Sequence, residues 1–255
     1  MTAEILTIPC LADNYAFLLH DTGSGQTALV DAPESYPAQR ALEGRGWALD
    51  TVLLTHHHWD HIDALPELQE SFHPQVIGAA ADAARLPPLD QRVTEGDRIR
   101  VGDLEGTVID VSGHTNGHVA YYFPAAKALF TGDSLMALGC GRLFEGDAPT
   151  MWDSLSKLAA LPADTLVYSG HEYTAANAAF ALTIEPENPA LQARIKDITA
   201  KRAKGLATVP STLAEELATN PFLRAGDPAI KAALGMDEAP DAEVFAEIRR
   251  RKDSF

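Results

Sequence analysis

The run Thr55-His56-His57-His58-Trp59-Asp60-His61 constrains this chain more than any other stretch, because it sets metal-ligand residue types in the pattern His-x-His-x-Asp-His. It follows Thr51-Val52-Leu53-Leu54, a short apolar, β-branched run that reads as a buried strand. Alternation along an extended backbone sends His56 and His58 to one side and His57 to the other. Asp60 and His61 then come from the turn into the next helix. Imidazole and carboxylate together suit zinc, iron or manganese, and no cysteine lies nearby to build an all-thiolate structural site.

Alone, such a run is also what a histidine-rich surface loop looks like. Three further positions argue for a site. Val108 to Val111 leads to Gly113-His114, Ala128 to Phe130 leads to Gly132-Asp133, and Leu166 to Tyr168 leads to Gly170-His171. Four strand-like segments thus deliver seven candidate ligands: His56, His58, Asp60, His61, His114, Asp133 and His171. A glycine before each of the last three lets the backbone turn tightly and approach a site closely.

Composition bounds the rest. At 255 residues, 46% hydrophobic and 22% charged, the chain has room for one large core or two domains and no signature of disorder. A formal charge of -16 repels nucleic-acid phosphates and anionic membrane surfaces, so neither is an expected partner. Cys10 and Cys140 are the only cysteines, far apart and expected as small buried hydrophobes; with no signal-like N-terminus and no membrane-length apolar stretch, a cytoplasmic protein is expected. A monomer is the default expectation.

Between Ile5 and about Ser169, strand-like runs (Tyr15 to Leu19, Ala28 to Asp31, Val52 to Leu54, Val76 to Gly78) alternate with helix-like Pro37 to Glu43 and Ala64 to Ser71. Ile99 to Val101, Val108 to Val111, Val119 to Phe123 and Ala128 to Phe130 are closely spaced, which favours an antiparallel meander and sheet-on-sheet packing. After His171 the texture turns Ala-rich and helical over Ala175 to Leu182, Ala190 to Lys204 and Ser211 to Ala218, with no strand expected. Pro186, Pro189, Pro210, Pro221, Pro228 and Pro240 fit helix starts and connections there.

With these ligand types in this order, the chain resembles the metallo-β-lactamase superfamily. Asp13-Asn14-Tyr15, Thr55 to His61, Gly113 to His118, Gly139-Cys140-Gly141-Arg142, Gly170 to Thr174, Asn220 to Arg224 and Arg249 to Asp253 narrow the resemblance to glyoxalase II, the hydroxyacylglutathione hydrolases. It extends over nearly the whole chain. It implies an α/β fold: a four-layer αββα metallo-β-lactamase sandwich over 1–172, followed by a smaller all-α substrate-binding domain over 173–255.

The resemblance also implies two divalent metal ions, zinc first with iron or manganese as alternatives. One would be held by His56, His58 and His114, the other by Asp60, His61 and His171, with Asp133 bridging. A carboxylate suits the bridge because it has two oxygens, whereas a neutral imidazole offers a metal one nitrogen. His57 and His118 are expected as packed neighbours, and His20 and His73 lack any such context. Arg142, Tyr173, Arg249 and Lys252 match positions that contact glutathione. Tyr173 is equally a helix-start residue packed in place, and the Arg249 to Lys252 run equally a solvated helix end. Two departures from the family pattern stand out: Asp63-Ala64 where glycines are common, and Phe144 where a tyrosine is common.

The implied substrate is S-D-lactoylglutathione, hydrolysed to D-lactate and glutathione in methylglyoxal detoxification. Metal coordination brings the pKa of water toward neutrality, making a bridging hydroxide the expected nucleophile, with Asp60 and Asp133 both ligands and catalytic groups. A mononuclear-iron persulfide dioxygenase would not use all of Asp60, His61 and His171, and an RNA-processing phosphodiesterase should carry a basic arm that this acidic chain lacks.

Overall fold

The computed structural model describes residues 3 to 255, which group into two compact units. One comprises the chain up to Val111 together with Asn116–Gly132; the other comprises Ser112–Thr115 together with Asp133–Phe255.

The first unit opens with a hairpin in which β1 (Ala3–Cys10) and β2 (Asn14–Asp21) pair antiparallel from Ala3 opposite Asp21 to Cys10 opposite Asn14. β3 (Thr27–Val30) pairs antiparallel with β2, and β4 (Thr51–Leu53), β5 (Gln75–Ala79) and β6 (Gln91–Val93) add in parallel, giving a six-stranded sheet in chain order. Parallel neighbours need crossovers. The first two are α1 (Ser35–Arg45), then α2 (Trp59–Ile62) with α3 (Leu65–Phe72). Leu42, Leu65 and Leu68 from the helices join Leu18, Leu29, Val52 and Val76 from the strands in one buried cluster.

β7 (Arg98–Val101), β8 (Leu104–Asp110), β9 (Val119–Phe123) and β10 (Ala128–Gly132) form the antiparallel meander that their close spacing predicts. It faces the first sheet: the Phe17 and Phe130 rings lie 5.7 Å apart, and the Tyr121 hydroxyl donates to the Leu54 carbonyl at 2.8 Å. The expected strand over Ala28 to Asp31 ends one residue early, because Asp31 turns to a φ of 58° and aims its carboxylate at Thr55 and His61.

The second unit holds the short pair β11 (Leu135–Met136) and β12 (Gly139–Cys140), then α4 (Ala148–Ala159), β13 (Leu166–Ser169), α5 (Thr174–Ile184) and α6 (Pro189–Arg202). β14 (Ser211–Thr212), α7 (Leu213–Thr219), α8 (Pro228–Leu234) and α9 (Asp241–Asp253) complete it. Leu138, Ala178, Ala181, Leu191 and Ile198 share a buried cluster, and Phe222 stacks on Phe180 and meets Phe245 edge-on, each at 5.9 Å. Pro189 and Pro228 open helices, where a missing N–H costs nothing.

One expectation fails here. The helix expected over Ser211 to Ala218 begins only at Leu213, and Ser211 and Thr212 are a strand paired antiparallel with Val167 and Leu166. The pairing partner lies some forty residues upstream, beyond any local window, and Thr212 then caps α7 in a capping box with Glu215. Both cysteines are free and buried as expected, with burial first among the causes that raise Cys10 to about 12 and Cys140 to about 11.

Candidate metal centre

In the first unit, the histidine run leaves the end of β4 over a fixed base. Thr55 is fully buried; its N–H donates to Asp31 Oδ1 at 2.8 Å, and its carbonyl accepts from Val119 at 3.0 Å. His56 Nε2 and His58 Nδ1 approach to 3.1 Å, while His57 turns away to Asp82 Oδ2 at 2.9 Å, the alternation expected from an extended backbone. His118 stacks on His56 with centroids 4.5 Å apart, a packed neighbour as expected. Asp60 and His61 sit on the single turn of α2, and Asp60 is held by the Asn14 side chain. Asp63 and Ala64 take ordinary right-handed helical angles, so glycine is not required there.

The ring nitrogens of this group are sorted by their partners. His61 Nδ1 lies 2.8 Å from Asp31 Oδ2, an acceptor, so it carries the proton and Nε2 keeps the lone pair of the neutral ring. The Thr55 hydroxyl spends its one proton on Asp31 Oδ2 at 2.9 Å and therefore accepts from His56 Nδ1 at 3.0 Å. His56 Nε2 keeps the lone pair of the neutral ring by the same logic.

In the second unit, Asp133 Oδ2 lies 3.2 Å from His171 Nε2 and 3.5 Å from His114 Nε2. His114 Nδ1 is 2.8 Å from the Arg142 carbonyl, so in the neutral ring its Nε2 also keeps a lone pair. Two acceptors then face each other across 3.5 Å, an arrangement that a cation between them relieves. Ligand atoms about 2.0 to 2.1 Å from a tetrahedral zinc are about 3.4 Å apart, so these spacings suit a shared ion. Close backbone approach shapes the pocket wall: a Cβ on Gly141 would fall 2.0 Å from the Asp133 carbonyl and 2.8 Å from His114 Nδ1.

The expected glutathione contacts all belong to this second unit. The Tyr173 ring stacks on His171 at 4.6 Å and is 39% exposed, and the Phe144 ring meets His114 edge-on at 5.3 Å. Arg142 is exposed. Arg249, by contrast, is buried: it donates to the Cys140 carbonyl at 3.1 Å, pairs with Asp253 at 2.7 Å and lies over the Phe222 ring. Lys252 reaches the Ala176 carbonyl at 3.3 Å, and its pKa is lowered by partial burial and then by the charges of Arg249 and Arg142. The Asp253 carboxylate, paired with Arg249, acts on Lys252 in the opposite direction.

Residues 13–171 match the metallo-beta-lactamase superfamily, and residues 172–255 match the family described as hydroxyacylglutathione hydrolase C-terminus. A hydroxyacylglutathione hydrolase of Cereibacter sphaeroides is 61% identical over 255 residues, covering all of both chains. One from Ruegeria pomeroyi is 62% identical with the same coverage. The chain belongs to the hydroxyacylglutathione hydrolase family. Among solved structures, ETHE1 from Myxococcus xanthus is similar at a TM-score of 0.65 and 27% identity, covering 100% of this chain and 99% of that one. The fold of this family member is the metallo-β-lactamase α/β sandwich with a helical C-terminal region.

Asp31 and Asp82, which hold His61 and His57, are not among the candidates read from the sequence, and Asn14, which holds Asp60, stands there only within the Asp13-Asn14-Tyr15 triplet of the resemblance. The signals were present but weak: an acid ending the apolar run Ala28 to Val30, the Asp13-Asn14-Tyr15 triplet, and an acid in an Ala-rich stretch.

Proposed function

We propose that this chain is a thioesterase that hydrolyses S-D-lactoylglutathione and related S-2-hydroxyacylglutathiones to the 2-hydroxy acid and glutathione, using two divalent metal ions. The observation that carries this reading is full-length identity above 60% to hydroxyacylglutathione hydrolases, with the complete His-x-His-x-Asp-His run and its later partners kept. We assign His56, His58 and His114 to one ion and Asp60, His61 and His171 to the other, with Asp133 as the shared ligand. Within the first unit His56 and His58 converge with Asp60 and His61 on the turn just beyond, and within the second Asp133 lies against both His114 and His171, which supports this assignment. Zinc is the proposed metal; the same donors accept iron or manganese.

When bound, the ions supply Lewis acidity, which lowers the pKa of water and polarises a carbonyl. The residues around them do the rest. Asp31 and the Arg142 carbonyl fix the tautomers of His61 and His114, so lone pairs are presented without reorganisation. Asp60 and Asp133 orient the attacking water and the thioester. Arg142, Arg249 and Lys252 would bind the glycine carboxylate of glutathione, and Tyr173 its peptide. The leaving thiol has a pKa of about 8.5, so its departure as thiolate requires no separate acid.

The proposed domain division, 1–172 catalytic and 173–255 substrate-binding, is supported by the two family matches meeting at 171 and 172. Among the described residues no helix is long and apolar enough to cross a membrane; a cytoplasmic monomer is our reading. The test is hydrolysis of a panel of glutathione and coenzyme A thioesters by purified protein, with metal analysis of the same sample. Turnover of lactoylglutathione that a chelator stops is expected. Inertness toward it, with persulfide-driven oxygen uptake instead, would overturn the proposal.

A further inference from the structure

We infer that Asn14 is a positioning residue that sets the carboxylate of Asp60 for one of the two ions. Its Nδ2 lies 3.0 Å from the Asp60 carbonyl and 3.0 Å from Asp60 Oδ2. An amide nitrogen carries two N–H groups, so one side chain grips both the backbone and the carboxylate of the same residue. That double grip fixes where Asp60 sits and which way its carboxylate faces.

Asp60 needs an outside anchor. It lies on α2, four residues from Trp59 to Ile62, and a single turn has too few internal hydrogen bonds to hold itself rigid. Asn14 is well placed to provide one. It is 5% exposed, opens β2, and is paired with Cys10 at the closed end of a hairpin in register over eight residue pairs. The turn is tied down in addition, since the Leu11 N–H donates to Glu34 Oε2 at 2.9 Å. Asparagine also brings no charge; an aspartate there would set carboxylate against carboxylate, and a leucine of similar shape would leave both acceptors of Asp60 without this donor.

The inference rests on the dinuclear reading above, and it makes a selective claim. Losing Asn14 weakens the ion assigned to Asp60, His61 and His171 and spares the one assigned to His56, His58 and His114.

The experiment titrates metal-free full-length protein with zinc against a chromophoric chelator and counts bound ions by native mass spectrometry. Wild type taking up two ions is the precondition; one ion or none would overturn the dinuclear reading itself, separately from the role of Asn14. Given two in wild type, Asn14→Ala is expected to keep one ion at wild-type affinity and to bind the second about 10 to 100 times more weakly. Asn14→Ser, which restores one donor, should fall between, and it carries the test if the alanine variant does not fold. Two ions at wild-type affinity in the variants would overturn the inference. So would equal weakening of both, the mark of a merely structural role.

Discussion

His61 donates through Nδ1 to Asp31 Oδ2 at 2.8 Å, and the same carboxylate takes the Thr55 N–H at 2.8 Å and the Thr55 hydroxyl at 2.9 Å. One buried acid therefore fixes both a ligand tautomer and the base of the histidine run. Asp31→Ala leaves buried donors without an acceptor, at about 1 to 3 kcal/mol each, and should lower zinc affinity about 10 to 100-fold. Asp31→Asn keeps an acceptor oxygen and tolerates the positive φ, so it should lose less. Thermal melts and chelator competition check this; an alanine variant that behaves as wild type would contradict it.

Asp133→Ala removes the proposed shared ligand, so two cations would lose the anion that offsets their repulsion. Elemental analysis is expected to find both ions depleted, and thioesterase activity nearly abolished. A variant with one tightly held ion and full activity would sink the bridging assignment.

The cationic cluster divides into two kinds of residue. Lys252→Ala should raise KM about tenfold to a hundredfold, the equivalent of one charged hydrogen bond at about 1.5 to 3 kcal/mol, with kcat little changed. Arg249 is buried and holds the Cys140 carbonyl, so Arg249→Ala should lower Tm in addition to raising KM. Added salt should weaken substrate binding by the wild type more than by Lys252→Ala. Steady-state kinetics decide it: unchanged KM for both variants, in folded and metal-loaded protein, would leave Arg249 a structural residue and Lys252 a helix-end cation without a binding role.

Acid should loosen one clasp in the first unit. The Ser24 hydroxyl, then the Asp103 and Gly23 N–H groups, hold the Asp21 carboxyl down at about 2. A folded pKa below the unfolded value gives stability that is present above about pH 4 and lost as pH falls toward 2. In metal-free protein, Asp21→Asn should melt below wild type at pH 6, and the gap should narrow as pH falls from about 4 and close only below about pH 2. A gap that stays constant with pH would exclude this linkage.

The proposed ligand positions stand out in the sequence because their chemistry is written locally. His-x-His-x-Asp-His after a β-branched run, and Gly-His or Gly-Asp after three later runs, carry both residue type and backbone geometry within a few positions. The meander and the Ala-rich helices were legible for a similar reason, since each writes its own periodicity. Tertiary structure alone decided what grips those ligands. Asp31 meets His61 across 30 residues, Asn14 meets Asp60 across 46, and the Arg142 carbonyl meets His114 across 28. The burial of Arg249 and the strand at Ser211 and Thr212 belong with them. The physical reason is the same throughout: a metal ligand is recognised by its own side chain, whereas a hydrogen bond or a strand pairing needs a second partner whose identity only the folded backbone specifies.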